Sequence, residues 1–323
     1  MDRRERMSRR RFAALMGLGP LAMAGRARAA DIVRLVVPFA AGSYTDTVAR
    51  LTAPGLSQRL GKTVIIENRG GANGIIGAEY VARRAPPDGL TLLVGGASVN
   101  TINPSVYTSL PYDPEADLLP VARIGMLPFV LLVNATVPVQ SVAELIEYAK
   151  KNPGKLAYGT PNAATLVGTE AFKRAGGVDL LRVSYKASPE ATNDLASNQI
   201  QVLIADLATA MPLLPTGKVR LLAVTMKARS PALPDAPPIA ETLPGYDLSA
   251  WTGLLAPGRT PPEAVKPIFE ALRATLADAD LQARFKAIGF DIDPMPPETF
   301  RPYIHAEIEK WRAVVRDVGI PVQ

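Results

Sequence analysis

Two residue types are almost missing from this chain of 323 residues: it has no cysteine and a single histidine, His305. Without cysteine there is no disulfide, no thiolate nucleophile and no Cys-ligated metal. No G-x-S-x-G or S-x-x-K motif occurs, and no set of His and carboxylates has metal-ligand spacing. Acid–base chemistry would fall to carboxylates or to Lys186, and nothing pairs these in the sequence. After residue 29 no apolar run approaches the roughly 20 residues that span a bilayer. Neither a solenoid-period repeat nor a low-complexity tract is present.

The charge is present but badly distributed. The formal net charge is +6. Residues 1–29 hold eight Arg against Asp2 and Glu5, which accounts for all of it; removing these eight from 36 basic residues and two from 30 acidic ones leaves 28 of each. The remaining chain is neutral, so the basic balance is no footprint for nucleic acid.

The basic segment reads as an export address. A charged stretch (residues 1–11) precedes an apolar one, Phe12–Gly25, and then Arg26-Ala27-Arg28-Ala29, with small residues placed for cleavage after Ala29. Ser8-Arg9-Arg10-Arg11-Phe12 is similar to a twin-arginine signal, and ordinary secretory export remains the alternative. A retained basic anchor is disfavoured by Gly17, Gly19 and Pro20, which make a poor helix. The expected product is a periplasmic protein carrying no lipid, since no Cys lies near the cut.

In the rest of the chain short apolar runs alternate with helical patterns. Strands are expected at 32–39, 63–67, 90–95, 129–133, 156–159, 182–185, 200–205, 219–225 and 251–256. Helices are expected at 46–60, 74–84, 141–151, 165–175, 189–196, 263–277 and about 298–317, the third opened by the capping sequence Ser141-Val142-Ala143-Glu144. Such alternation predicts an α/β protein with parallel-rich sheets. The pattern breaks near Ile124–Phe129, where two strand-like segments abut, and again near Pro244–Leu255. Read as two crossings between lobes, these give one lobe at 30–129 and 251–323, a second at 130–250, and a cleft at the hinge.

Four features could carry chemistry. The segment Pro38–Asp46 joins the first strand to the first helix, and amides of Gly42, Ser43 and Tyr44 with the Ser43 hydroxyl would seat a carboxylate; equally, Ser43 and Asp46 could only cap the helix. Gly70–Gly77 lacks nucleotide-loop spacing and reads as close helix–strand packing. Tyr158–Thr165 repeats the first loop's logic in the second lobe. Asp206 ends a strand, where it could accept from a ligand N–H or O–H, or cap the next helix. His305 lies on the last amphipathic helix and reads as a surface residue.

Together these residues resemble a known family. Val37-Pro38-Phe39, Gly42, Asp46, Glu67-Asn68-Arg69, Gly71-Ala72, Gly77-Ala78-Glu79, Pro87-Asp88-Gly89, Tyr112-Asp113-Pro114, Asn152-Pro153-Gly154-Lys155, Tyr185-Lys186, Leu221-Leu222-Ala223-Val224-Thr225, Arg229-Ser230-Pro231 and Trp251 follow the order and spacing of the substrate-binding receptors of tripartite tricarboxylate transporters, the Bug family. The resemblance runs nearly the length of the mature chain. It implies a two-lobed periplasmic-binding-protein fold of the type II, Venus-flytrap kind, without catalysis or cofactor, closing on a small carboxylate partly through water.

The resemblance also implies ligand contacts from Phe39, Gly42, Ser43, Tyr44 and Thr45, from Ala97, Ser98 and Asn100, from Thr160, Asn162, Ala163 and Thr165, and from Lys186 and Asp206. Departures cluster beside the cleft: Ala40-Ala41 stand where a Pro pair is usual, Ser43 where a second Gly is usual, Leu166 where a His is common, and Ala187 where a Gly follows Tyr185-Lys186. Arg is scarce in these loops, which points to a ligand with one or two carboxylates. The expected partners are that ligand and either membrane permease subunits or the ectodomain of a sensor kinase, with the receptor a monomer and no nucleic acid bound. An exported enzyme using Lys186 or Asp206 is the remaining reading.

Overall fold

The computed structural model describes residues 32–230 and 233–319. The proposed export segment therefore lies outside the described residues, as do Pro231 and Ala232. Among the described residues no helix is long and apolar enough to cross a membrane.

Two mixed sheets share one long strand. The first sheet begins with β1 (Ile32–Val37), which pairs in parallel with β2 (Thr63–Asn68) on one side and β3 (Thr91–Gly96) on the other. β3 is buried along its whole length, as expected of a strand covered on both faces. The sheet then turns antiparallel through β9 (Ser249–Pro257), β4 (Leu118–Asn134) and β10 (Asp291–Met295). The second sheet runs β8 (Val219–Val224), the far half of β4, β7 (Val202–Asp206), β5 (Ala157–Thr160) and β6 (Leu181–Ser184). Only β7, β5 and β6 are mutually parallel there, so each sheet has a three-strand parallel core extended by antiparallel strands, less parallel than its alternating pattern suggests.

The segments expected to abut near Ile124–Phe129 are one continuous 17-residue strand. Its partner changes at one point: Pro128 is the last residue opposite β9, and Phe129 the first opposite β7. Proline has no N–H to continue a ladder, which suits the residue at which one sheet stops and the next begins. The return crossing passes Thr225, whose hydroxyl donates to the carbonyl of Phe129 or Leu248 at 3.0 and 2.6 Å, and enters β9. β10 and the turn at 98–106 had no counterpart in the sequence reading; Asp291–Met295 mixes acids and Pro294 with apolar residues and shows no strand alternation.

Helices cover both sheets. α1 (Tyr44–Leu60) and α2 (Ile75–Glu79, prolonged by a wide turn at Tyr80–Arg84) follow β1 and β2; a second wide turn, Ser98–Ile102, leads into α3 (Asn103–Val106). α4 (Val142–Lys151) starts at Ser141, whose hydroxyl accepts from the amide of Glu144 at 3.2 Å, as the capping sequence predicts. α5 (Ala163–Gly176), α6 (Ser188–Ala196) and α7 (Leu207–Ala210) belong to the second sheet. α8 (Pro262–Leu276), α9 (Ala279–Ala287) and α10 (Pro297–Val318) close the chain. α10 packs against β4, the 98–102 turn and also α5, so it touches both lobes. Its Phe300 ring meets Trp251 edge-on at 5.2 Å.

Candidate functional site

A cavity of about 50 Å³ lies where β4 and β9 cross between the lobes. Its lobe-one wall comes from the loop before α1 and from the end of β3; its lobe-two wall comes from the starts of α5 and α6 and the end of β7. Strand C-terminal ends and helix N-terminal ends converge there, as in other open α/β sheets.

On the first wall, Ser43 is the N-cap of α1, its hydroxyl 3.4 Å from the amide of Asp46 that donates to it. Gly42 takes a positive φ of +79°, which a side chain would disfavour, and its N–H donates to Asp46 at 2.9 Å. Asp46 also accepts from Arg50 at 2.8 Å and from Asn68 at 2.9 Å. Burial pushes this carboxyl up, but the bonds from Arg50, Gly42 and Asn68 outweigh burial and hold it below the usual carboxylate range. Asp46 therefore ties the loop to β2 and does not form part of the cavity wall. With these bonds made, the amides of Tyr44 and Thr45 have no protein acceptor among the described residues.

Tyr44 points its ring into the lobe, 6.1 Å from Phe290, and its hydroxyl accepts from Thr252 at 2.8 Å. Burial raises its phenol far above its ordinary value, so it stays neutral. The glycine segment 70–77 packs beneath this loop. A Cβ on Gly77 would lie 2.8 Å from the Cα of Pro38, in agreement with the close-packing reading.

On the second wall Asn162 caps α5 reciprocally with Thr165. The amide of Ala163 has no protein acceptor among the described residues, and that of Ala164 donates across the cleft to the Ser98 hydroxyl at 3.3 Å. Residue 187, the N-cap of α6, is alanine and offers no side-chain cap, so this helix start is open as well. Lys186 stands exposed at the rim and forms no ion pair among the described residues. Three helix starts and one cation make the cleft locally electropositive on a neutral body. Asp206 is the exception. Its Oδ1 caps α7 by accepting from Thr209 at 3.0 Å, and burial raises its carboxyl above the usual range.

The cavity thus brings together nine of the residues singled out in the sequence: Phe39, Ser43, Tyr44, Thr45, Ala97, Ser98, Asn162, Lys186 and Asp206. Gly42, Thr160, Ala163 and Thr165 stand behind the wall as loop and cap residues. Asn100 is turned inward and fully buried, its side-chain oxygen accepting from Gly96 at 3.0 Å, so it braces the end of β3 and takes no part in the wall. Ala40, Gly96, Pro161, Ala164, Ala187 and Ser188 are neighbours of residues already singled out. Phe129 and Trp251 are different: they sit on the two crossing strands, and the breaks in the sequence pattern at those positions were the signal that could have placed them in the cleft.

A two-lobed fold whose two crossing strands, β4 and β9, meet at the base of an electropositive cleft defines a solute-binding protein of the periplasmic type. Residues 48–320 match the model of the tripartite tricarboxylate transporter family receptor, and the chain belongs to that family. It is 32% identical to Protein BugT of Bordetella pertussis over 292 residues, 89% of each chain. Among solved structures it is similar to Rpa4515 of R. palustris with adipate (38% identity, TM-score 0.86, 90% of this chain and 97% of that one) and to MatC of Rhodopseudomonas palustris with bound malate (31%, 0.83, 88% and 98%).

Proposed function

We propose that this protein is an exported receptor that closes its lobes on a small carboxylate and delivers it to a membrane transporter. The observation that carries this reading is one cavity lined by the starts of α1, α5 and α6 and by Lys186, with the amides of Tyr44 and Thr45 and the Lys186 cation unpaired among the described residues. Adipate and malate bound by relatives of the same fold support a carboxylate with one or two acid groups. The ligand's carboxylate accepts from these amides, directly or through water. The lobes are taken to divide at the partner change at Pro128–Phe129 and at the return near Leu248–Ser249, close to the sequence boundaries at 129 and 250.

The reading is non-catalytic and monomeric. His305, the one imidazole, pairs with Glu115 at 2.9 Å on an exposed part of α10. Export rests on residues 1–29, and cleavage near Ala29 in the periplasm is part of the proposal. The direct test is calorimetric titration of the mature protein with a panel of mono-, di- and tricarboxylates. Binding of at least one member, lost when Ser43 is replaced by Glu, supports the reading; a silent panel overturns it.

A further inference from the structure

The cleft contains an acid that a carboxylate receptor would be expected to avoid. Asp206 is 4% exposed and belongs to the cavity wall. Its Oδ1 accepts from the Thr209 amide, and the Thr209 hydroxyl and the residue's own amide also favour the ionised form, yet burial outweighs all three and the side chain makes no ion pair among the described residues. The surroundings supply no compensating charge at hydrogen-bond distance. From α1 comes the neutral phenol of Tyr44; from β4 and β9 come Phe129, Trp251 and Thr252; from α7 comes Thr209; from the β6–α6 loop comes Lys186, exposed at the rim. Asp46, the one carboxylate on α1, is engaged with Arg50, Asn68 and Gly42.

The cavity offers only about 50 Å³, so a ligand carboxylate seated on the helix starts cannot lie far from Asp206. Two ionised carboxylates so close in a dry cleft repel strongly, and such pairs resolve the conflict by sharing one proton. We infer that Asp206 takes part in ligand recognition as the neutral acid, donating its Oδ2–H to a carboxylate oxygen of the ligand, so that binding is coupled to one proton. This rests on the carboxylate-receptor reading above and specifies how that site recognises its ligand. Burial already favours the protonated side chain before any ligand arrives, and a bound anion favours it further.

The sign follows from linkage. Where Asp206 is ionised in the free receptor and protonated in the complex, binding takes up a proton, and the Kd rises about tenfold per pH unit. D206N tests this, because the amide keeps an oxygen for Thr209, supplies an N–H donor and cannot titrate. The probes are adipate and malate, titrated by calorimetry from about pH 5 to about pH 8 in buffers of different ionisation enthalpy. Expected are a Kd that rises with pH in the wild type, proton uptake on binding, and D206N that still binds with a flatter profile. The ligands' own titration is common to both proteins and cancels in the comparison. Loss of binding in D206N at every pH, with the mutant still folded by circular dichroism, would show that a neutral donor at this position does not suffice for recognition and would overturn the inference. So would identical pH profiles in the two proteins. Failure of the wild type to bind any carboxylate at any pH would instead sink the receptor reading itself.

Discussion

The hydroxyl of Ser98, on the turn after β3, accepts a hydrogen bond from the amide of Ala164 in the first turn of α5, at 3.3 Å. These residues belong to opposite lobes, so the bond spans the cleft. Ser98 also lies 3.5 Å from the Asn162 side-chain oxygen. One hydrogen bond contributes about 1 kcal/mol, roughly a fivefold change in an equilibrium between open and closed lobes. Ser98→Ala should shift the ligand-free receptor toward the open form. Small-angle scattering would register a larger radius of gyration; an unchanged radius would mean the bond does not govern closure.

Lys186 is the cation at the rim that no acid neutralises among the described residues. Because it is exposed, its attraction for a carboxylate is screened, and about 1 kcal/mol is a reasonable scale. Lys186→Met should weaken carboxylate binding about fivefold to tenfold at low salt, and the difference should shrink as salt is added. A salt-independent difference between wild type and mutant would point to packing by the lysine stem.

Asp46 has a carboxyl held below its ordinary value, so its contribution to stability is present above the unfolded-state pKa and lost as pH falls through the folded one. Asp46→Asn should destabilise the protein at neutral pH by on the order of 1–2 kcal/mol, discounted because Arg50 is half exposed. In denaturant titrations the gap between wild type and mutant should narrow below about pH 4. A gap that stays constant on acidification would remove the charge from the account.

Gly77 sits where a Cβ would come 2.8 Å from the Cα of Pro38 and 2.9 Å from the carbonyl oxygen of Arg69. Both are backbone atoms, so neither can swing away. Gly77→Ala should cost about 1–3 kcal/mol and displace the loop that carries Phe39 and Ser43. Thermal unfolding reads the first effect and ligand affinity the second; a mutant as stable as wild type would show that α2 can slide outward at little cost.

Much of the architecture was legible because local patterns carried it. Ser141 and Glu144 placed the start of α4, and the Ser43–Asp46 spacing placed the cap of α1. What local pattern misjudged was pairing. The residues of β4 look like two strands because Pro120, Gly125 and Pro128 interrupt them, yet partners on both sides hold them in one. β10 is a strand only because β4 lies beside it. The family resemblance implies Asn100 as a ligand contact, whereas the wide turn at 98–102 buries its side chain, which accepts from Gly96.

The sequence by itself determined that this protein has two α/β lobes, strand–helix loops suited to anions, and a chain that is neutral after a basic N-terminal segment. Those properties follow from periodicity, caps and composition, which act over a few residues. Only the tertiary structure decided that the starts of α1 and α5 line one cavity, that Ser98 reaches Ala164, and that Asp206 is buried without a counter-charge at hydrogen-bond distance. These depend on residues more than 60 positions apart meeting at the hinge, and on the burial that the meeting creates. Burial sets the state of a carboxyl, and no local pattern contains it.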